Sequence, residues 1–326
     1  MKIFRGMISL LLIGTALSCD APRLNPLDPL NPGYQLASID GTILTASLPH
    51  QPIAGVKVFW KNQNLLVETD AAGKFLIDQL PPKQGWIYFE KDGYSNDSLP
   101  INLINQKSWH ITDTLNAIPK LDSLVIYTSV VNRYPTVQSD TLYVKAKISD
   151  AENDVASVFI RCTELSINKS LLFKSSSGYY ENKFSTAELN LNSMDEGIGK
   201  NFGISVYDRF GKEFKKIGFS TIKRTIRQDI IFKSPANLEI VKKPIKFVWN
   251  RFLPGFNFSY NFEIYTEGNS PKLVYGPTSF SKEKVEFTAD LPDINNLPAG
   301  QYFWVIWVID DFQNRARSLP ASFVVQ

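Results

Sequence analysis

Short runs of alternating apolar and polar residues recur along the chain from about residue 34 onward. Each run is bounded by Gly, Pro, Asn or Asp, and no run with helical periodicity is longer than a turn or two. A period of two is typical of strands, and many short strands separated by turn residues are typical of β-sandwiches. Pro119 and residues 224–228 interrupt the pattern. We therefore predict an all-β chain with three tandem antiparallel β-sandwich modules, at residues 34–118, 119–227 and 228–326.

The first predicted module contains a hairpin turn and several strand segments. In Asp70-Ala-Ala-Gly73, the aspartate is placed to cap its own backbone, and the glycine supplies a positive φ. The segments that carry the pattern are Gly41–Ile43, Pro52–Val58, Thr69–Ile77, Leu80–Pro81 and Lys91–Tyr94. Together they resemble the carboxypeptidase regulatory-like domain, a transthyretin-like sandwich of seven strands. The resemblance implies a non-catalytic accessory domain.

The second predicted module is interpreted as an Ig-like sandwich. Leu142–Ile148 alternates, and the pattern resumes over Val155–Cys162 after an acidic turn. The turn contains Asp150, Glu152 and Asp154, and clustered carboxylate oxygens are the ligands that calcium prefers. The turn lacks the glycine spacing and the distal glutamate of an EF-hand loop, and plain hairpin chemistry also explains it. We favour the hairpin and keep calcium as the weaker alternative.

The third predicted module resembles the bacterial fibronectin type III domain. Phe247–Trp249 matches the first core strand of that family, Tyr260–Tyr265 the central strand and Leu297–Asp310 the penultimate strand. Leu297 with Tyr302 has the pattern of a tyrosine corner, in which the phenol bonds back to nearby backbone. The second and third modules both place a Val/Ile-x-Asp-x-Phe turn before their final strand. This echo predicts two related sandwiches in tandem.

Period two divides the penultimate strand of the third module into two faces. The residues that it sends inward are Tyr302, Trp304, Ile306 and Val308. Phe303, Val305 and Trp307 then lie on the outer face, and Tyr265 of the facing strand joins them. A contiguous apolar stripe on the outer face of a small sandwich is expected to be covered by another part of the protein or by a ligand. Two alternatives for what covers the stripe remain open. One is packing against the second module or the chain's own loops, and the other is a bound sugar or apolar partner that stacks on the rings.

The first residues have the order of a bacterial secretory signal. Lys2 and Arg5 precede an apolar run of 11 residues, Met7–Leu17, which is shorter than the ~20 residues that span a bilayer. Ala16-Leu17-Ser18-Cys19 resembles the lipobox of bacterial lipoproteins, with alanine where that family prefers leucine. The resemblance implies that residues 1–18 are removed and that Cys19 carries lipid, palmitate included. An ordinary secretory signal with an incidental cysteine is the alternative.

Residues 19–33 are predicted to tether the first module to the membrane. Repeated prolines remove amide donors and favour extended backbone, so the segment should be semi-rigid. Its Asn-Pro and Asp-Pro steps resemble the tethers of some Gram-negative surface lipoproteins. We predict the outer membrane of a Gram-negative bacterium. Asp20 resembles an inner-membrane retention signal of enterobacteria, so the inner membrane remains open.

The chain has only two cysteines and two histidines. Cys162 continues the period-two pattern of Val158 and Ile160, which predicts a buried, inert thiol. We expect His50 and His110 to be structural or surface residues. So few soft ligands do not assemble a zinc site, and we predict no cofactor and no metal centre beyond the calcium alternative.

Composition and motifs bound the function. The apolar fraction of 44% predicts folded modules. With 35 basic and 32 acidic residues, the net charge is only +3. It does not predict nucleic-acid binding, which usually depends on a concentrated basic patch. The chain has no Gly-x-Ser-x-Gly elbow, no His-Glu-x-x-His helix and no phosphate-binding glycine loop. The sequence therefore predicts a non-enzymatic, lipid-anchored envelope protein that binds or positions a glycan, a peptide or a protein. The alternatives are a structural stalk and an accessory subunit of a secreted hydrolase.

Overall fold

The alternating segments form strands in the computed structural model, which describes residues 36–132, 138–288 and 297–326. Strands make up 59% of the described residues and helices 5%, which confirms the all-β prediction. No helix among the described residues has the length and hydropathy needed to cross a membrane. The predicted signal at residues 1–18, the tether at 19–33 and the lipidation site Cys19 lie outside the described residues.

The chain divides into two units, and the first ends at Ala117. Its strands are β1 (Ala37–Thr45), β2 (Lys57–Trp60), β3 (Leu65–Glu68), β4 (Lys74–Leu80), β5 (Gln84–Glu90), β6 (Asp97–Asn102) and β7 (Ser108–Leu115). They form two sheets, in the orders β4-β1-β7 and β3-β2-β5-β6, with β1 parallel to β7. Inward residues of both sheets, such as Ile39, Val58 and Phe89, form one buried core. The first unit is thus a sandwich of seven strands.

The hairpin that enters β4 has the predicted turn chemistry. Asp70 Oδ1 accepts hydrogen bonds from the backbone N–H groups of Ala72 and Lys74, both at 2.8 Å. Gly73 has a φ of +71°, and a Cβ there would meet the carbonyl oxygen of Ile43. Because the left-handed conformation and the close approach both exclude a side chain, glycine is required at this position.

The second unit begins at Ile118, and the described part of its first half has seven strands. They are β8 (Lys120–Val131), β9 (Ser139–Ser149), β10 (Val155–Cys162), β11 (Ile167–Lys174), β12 (Tyr179–Ser185), β13 (Asn201–Asp208) and β14 (Glu213–Thr221), with a short helix α1 (Thr186–Leu189). The ladder β14-β13-β10-β11-β12-β9-β8 is continuous. It curls around one core, so that Gly218 of β14 lies against Leu121 of β8. Cys162 is fully buried in that core, as predicted.

The second half of this unit packs a three-stranded sheet on the continuing ladder. Its strands are β15 (Phe232–Ser234), β16 (Glu239–Val241), β17 (Lys246–Trp249), β18 (Phe258–Thr266), β19 (Leu273–Ser281), β20 (Glu286–Thr288), β21 (Gly300–Asp310), β22 (Arg315–Arg317) and β23 (Ala321–Val325). Sheet β15-β17-β20 covers an aromatic core in which the Phe247 ring lies 4.9 Å from Phe262 and 5.2 Å from Trp304. The predicted inward set is buried: Tyr302, Trp304, Ile306 and Val308. The Tyr302 hydroxyl donates to the carbonyl of Pro298 at 3.0 Å, which confirms the tyrosine corner.

The two halves share one sheet. Strand β22 pairs in parallel with β8, so the ladder runs β9-β8-β22-β21-β18-β19 without a break. Strand β8 serves both cores, because Ile126 is buried in the first half and Val130 in the second. The sequence pattern predicts the second and third modules as separate sandwiches. A strand of 12 residues is about twice the usual length, and the extra length is what crosses from one core to the other.

A buried polar network locks this joint. Asn314 Nδ2 donates to Asp310 Oδ2 at 3.1 Å, and Asn314 Oδ1 accepts from the backbone N–H of Thr128 at 3.0 Å. The hydroxyl of Thr128 donates to the carbonyl of Arg224 at 3.0 Å. The guanidinium of Arg224 lies 3.5 Å from Asp310 Oδ2 and 4.3 Å above the Phe256 ring. Since Asp310, Asn314 and Thr128 are all buried, the network holds β8 and β22 in a fixed register.

Candidate ligand-binding face

The outer side of the shared sheet carries aromatic residues across the joint. The side chains involved, which we call the aromatic face, are Tyr265 of β18, Phe303 and Trp307 of β21, Arg315 of β22 and Tyr143 of β9. All five keep part of their surface exposed. The strands that position them are locked together by the parallel pairing of β22 with β8. The aromatic face therefore belongs to both halves of the unit.

One end of the aromatic face is organised around Glu263. The rings of Tyr265 and Phe303 stack at 5.3 Å with 10° between their planes. The Tyr265 hydroxyl and Trp307 Nε1 both donate to Glu263 Oε2, at 2.8 Å and 2.9 Å. Burial, and then the hydrogen bond to the Glu263 carboxylate, raises the pKa of Tyr265 to about 12. These bonds fix the orientation of both polar rings while leaving ring surface exposed.

The other end of the aromatic face is organised around Arg315. Its guanidinium lies 5.1 Å from the ring centroids of Tyr127 and Tyr143 and 5.3 Å from that of Trp307. The two tyrosine rings stack at 5.0 Å with 1° between their planes. Arg315 Nε also donates to Ser129 Oγ at 3.4 Å. Across the described ranges, no carboxylate forms an ion pair with Arg315, so aromatic rings hold a cation in place.

Val305 does not contribute accessible surface to this face. The strand register places it on the outer side, opposite Glu263, as period two predicts. It nevertheless has no exposed surface. Of the predicted stripe, Tyr265, Phe303 and Trp307 therefore keep exposed ring surface, and Val305 does not.

The sequence alone did not find Arg315, Tyr127 and Tyr143. The two tyrosines stand at outward positions of alternating strands, which gives a weak local signal. Their proximity to Trp307 depends on the pairing of β8 with β22, which joins positions 186 residues apart such as Arg315 and Ser129. No local sequence pattern predicts such a long-range strand pairing.

The acidic turn is closed by hydrogen bonding within the hairpin. The backbone N–H of Asp154 donates to Asp150 Oδ2 at 3.0 Å. Burial raises the pKa of Asp150, and the neighbouring charges of Asp154 and Glu152 raise it further. Within the described ranges, no group of three or more His, Cys, Asp or Glu side chains is placed to hold a metal ion. The structure therefore does not bring Asp150, Glu152 and Asp154 together as a calcium centre.

The histidines and the free thiol are not among the residues of the aromatic face. His110 Nδ1 is 2.6 Å from Asp40 Oδ2 on an exposed surface of the first unit. His50 Nδ1 is 2.7 Å from the carbonyl oxygen of Thr45. Cys162 is in the core of the second unit. Each of these residues has a local structural environment and none lies on the aromatic face.

No family model and no curated protein matches this chain. Among solved structures, the fibronectin(III)-like modules of Clostridium thermocellum CbhA match 64% of this chain and 93% of their own, at 12% identity and a TM-score of 0.30. The FN1–FN3 domains of chicken CNTN1 match 83% of this chain and 90% of their own, at 8% identity and a TM-score of 0.31. The Bacillus cereus major pilin subunit BcpA matches 90% and 97%, at 9% identity and a TM-score of 0.25. At these identities and TM-scores the likeness assigns no function to this chain.

Proposed function

We propose that this chain is a non-enzymatic, lipid-anchored protein of the bacterial cell envelope that holds a ligand-binding face on a rigid pair of β-sandwiches. The observation that carries the proposal is the position of the aromatic face. It crosses the joint between two sandwiches, where β22 pairs with β8 and the buried network of Asp310, Asn314 and Thr128 lies beneath. A face built from both halves keeps its shape only if the joint is fixed.

The rigidity of the joint favours binding. Ordering a mobile surface on association costs about 0.5–1.5 kcal/mol for each immobilised side chain, and a pre-organised surface avoids this cost. Tyr265 and Trp307 are already held by Glu263, and Arg315 is already held by three rings and Ser129. The exposed ring surfaces of Tyr265 and Trp307 are suited to stacking against flat apolar faces.

The anchor supplies the location. The lipobox-like Ala16–Cys19 segment and the proline-rich residues 19–33 support attachment through lipid on Cys19. Each buried methylene contributes about 0.8 kcal/mol, so two or more acyl chains on Cys19 hold the protein stably at a membrane. We place the protein at the outer membrane of a Gram-negative bacterium, where the tether would lift the modules off the bilayer. Replacement of Cys19 by serine should abolish incorporation of a palmitate analogue and release the chain from membranes.

Binding is tested with the full chain in detergent micelles on an array of glycans and peptides. The variants are Trp307→Ala and Trp86→Ala, the latter removing an exposed indole in β5 of the first unit. We expect Trp307→Ala to lose binding while Trp86→Ala retains it, with both variants folded by near-UV circular dichroism. Equal binding by both variants would overturn the proposed face.

A structural stalk is the second candidate, because the same fixed joint suits a spacer. Spin labels on Ser176→Cys and Ser270→Cys, in the two halves of the second unit, report the distance between them. A narrow distance distribution together with no ligand on the array would favour the stalk. A broad distribution would contradict both candidates, since each requires a rigid joint.

A further inference from the structure

An open depression of about 330 Å³ overlaps one end of the aromatic face at Tyr143, on the same outer side of the shared sheet. The residues that bear on its chemistry are Tyr127, Tyr143, Lys145, Lys174, Glu181 and Lys183. Tyr143 pairs with Tyr127 across the strands, and the Lys145 ammonium lies 3.3 Å from Glu181 Oε2. The volume lies in the range of small-molecule sites, which combine aromatic walls with a few convergent polar groups.

Arg315 connects the depression to the aromatic face. Its guanidinium is 5.1 Å from both tyrosine rings that line the depression and 5.3 Å from Trp307 on the aromatic face. The depression and the aromatic face are therefore continuous. A ligand bound in the depression can extend onto the aromatic face and contact Arg315 between them.

The charge of this region selects an anion. Lys145, Lys174, Lys183 and Arg315 supply four positive charges. Glu181 is the single carboxylate among the described residues that line the depression, and it is paired with Lys145. The local balance is therefore a net charge of +3. Arginine and lysine bind carboxylates through charge-assisted hydrogen bonds, which are about twice as strong as neutral ones.

The position of the depression within the sheet favours a sugar over a peptide as its ligand. A peptide that adds a strand needs an unpaired sheet edge. The strands beneath the depression, β12, β9 and β8, are each paired on both sides. The partly exposed Tyr143 ring, with ammonium groups around it, instead suits the apolar face and polar rim of a pyranose ring.

We propose that the depression, together with Arg315, binds a carboxylate-bearing sugar of an acidic glycan, and that the aromatic face takes up the following sugars of the same chain. This inference rests on the proposed function and names its ligand class. Five strand-to-strand steps separate β12 from β18. At about 4.8 Å for each step, the site is roughly 24 Å long. The ligand is therefore an oligosaccharide, and affinity rises with its length.

The test uses the full chain in detergent micelles and isothermal titration calorimetry. The probes are oligogalacturonates of one, three and six sugars, with maltohexaose as the neutral control and hexaglutamate as the acidic peptide control. We expect the acidic hexamer to bind at least tenfold more tightly than the acidic monomer, maltohexaose or hexaglutamate. The affinity should fall as salt is raised, because exposed charges are screened.

Lys183→Gln and Arg315→Gln should each weaken binding of the acidic hexamer about tenfold or more. Lys215→Gln, which removes an exposed lysine of β14 that does not line the depression, should leave it unchanged. Equal binding of maltohexaose overturns this inference but leaves the proposed function standing. Equal binding of hexaglutamate also overturns it, since charge alone would then explain recognition. Failure of every probe here and on the glycan and peptide array would overturn the inference and the binding function together.

Discussion

Replacing Asp310 with alanine should open the joint between the two sandwiches of the second unit. The Asp310 side chain has no exposed surface. Its Oδ1 accepts from the backbone N–H groups of Phe312 at 2.9 Å and Asn314 at 2.8 Å, and its Oδ2 accepts from Asn314 Nδ2. Alanine would leave these donors, and the Arg224 guanidinium, without their acceptor. Asn314 would also lose the contact that aims its oxygen at Thr128.

The size of the effect follows from burial and charge. A hydrogen bond to a charged group contributes about 1.5–3 kcal/mol, and removing one partner of a buried charged network costs about 3–5 kcal/mol. We therefore expect Asp310→Ala to destabilise the joint by roughly 3–5 kcal/mol. Asp70 makes the same two backbone bonds in the first unit but is exposed. Asp70→Ala should consequently cost about 1 kcal/mol.

Amide hydrogen exchange measures the joint directly. A loss of 3–5 kcal/mol corresponds to exchange roughly 150- to 5,000-fold faster in β22 and the second half of β8. Asp208→Ala is the matched control, because Asp208 is also buried and its Oδ1 accepts from Phe210 and Lys212 in the equivalent turn. It should loosen its own hairpin and leave β22 protected. Unchanged protection of β22 in Asp310→Ala would refute the idea that this network locks the joint.

Three further predictions concern local chemistry. Tyr265 has a folded-state pKa of about 12 against an ordinary 10.0, so it favours folding below pH 10 and that contribution is lost between pH 10 and 12. Tyr265→Phe should reduce the alkaline loss of stability, measured by urea unfolding against pH. Gly73→Ala should cost roughly 2–4 kcal/mol and Gly93→Ala about 1 kcal/mol in urea unfolding, because both have positive φ but a Cβ clashes only at Gly73. In a Cys19→Ser background, the Cys162 thiol should react with a thiol reagent only after unfolding.

Local features of the fold were predictable because each depends on neighbouring residues. Period two alone placed Trp304 and Cys162 inside their cores, since alternation is a property of the strand itself. The turn at Asp70 followed from the geometry of one aspartate and one glycine. The tyrosine corner likewise spans only five residues, from Pro298 to Tyr302.

The joint and half of the aromatic face were not predictable, because they depend on long-range pairing. Strand β22 has three residues, too few for a periodic signal, and its partner β8 lies far earlier in the chain. Without that pairing, nothing in the sequence brings Arg315 to Tyr127. The burial of Val305 was missed for a related reason, since alternation gives the side of the sheet and not the exposure of a residue on that side.

Strand β8 builds the joint and the face at once, because its successive residues point to opposite sides of the shared sheet. Thr128 points inward and bonds to Asn314 and Arg224. Tyr127 and Ser129, on either side of it, point outward and both contact Arg315. Any change that shifts β8 against β22 therefore moves the Arg315 guanidinium relative to the tyrosine stack. Because of this coupling, Asp310→Ala should weaken binding of the acidic hexamer although Asp310 lies on the buried side, whereas Asp208→Ala should not.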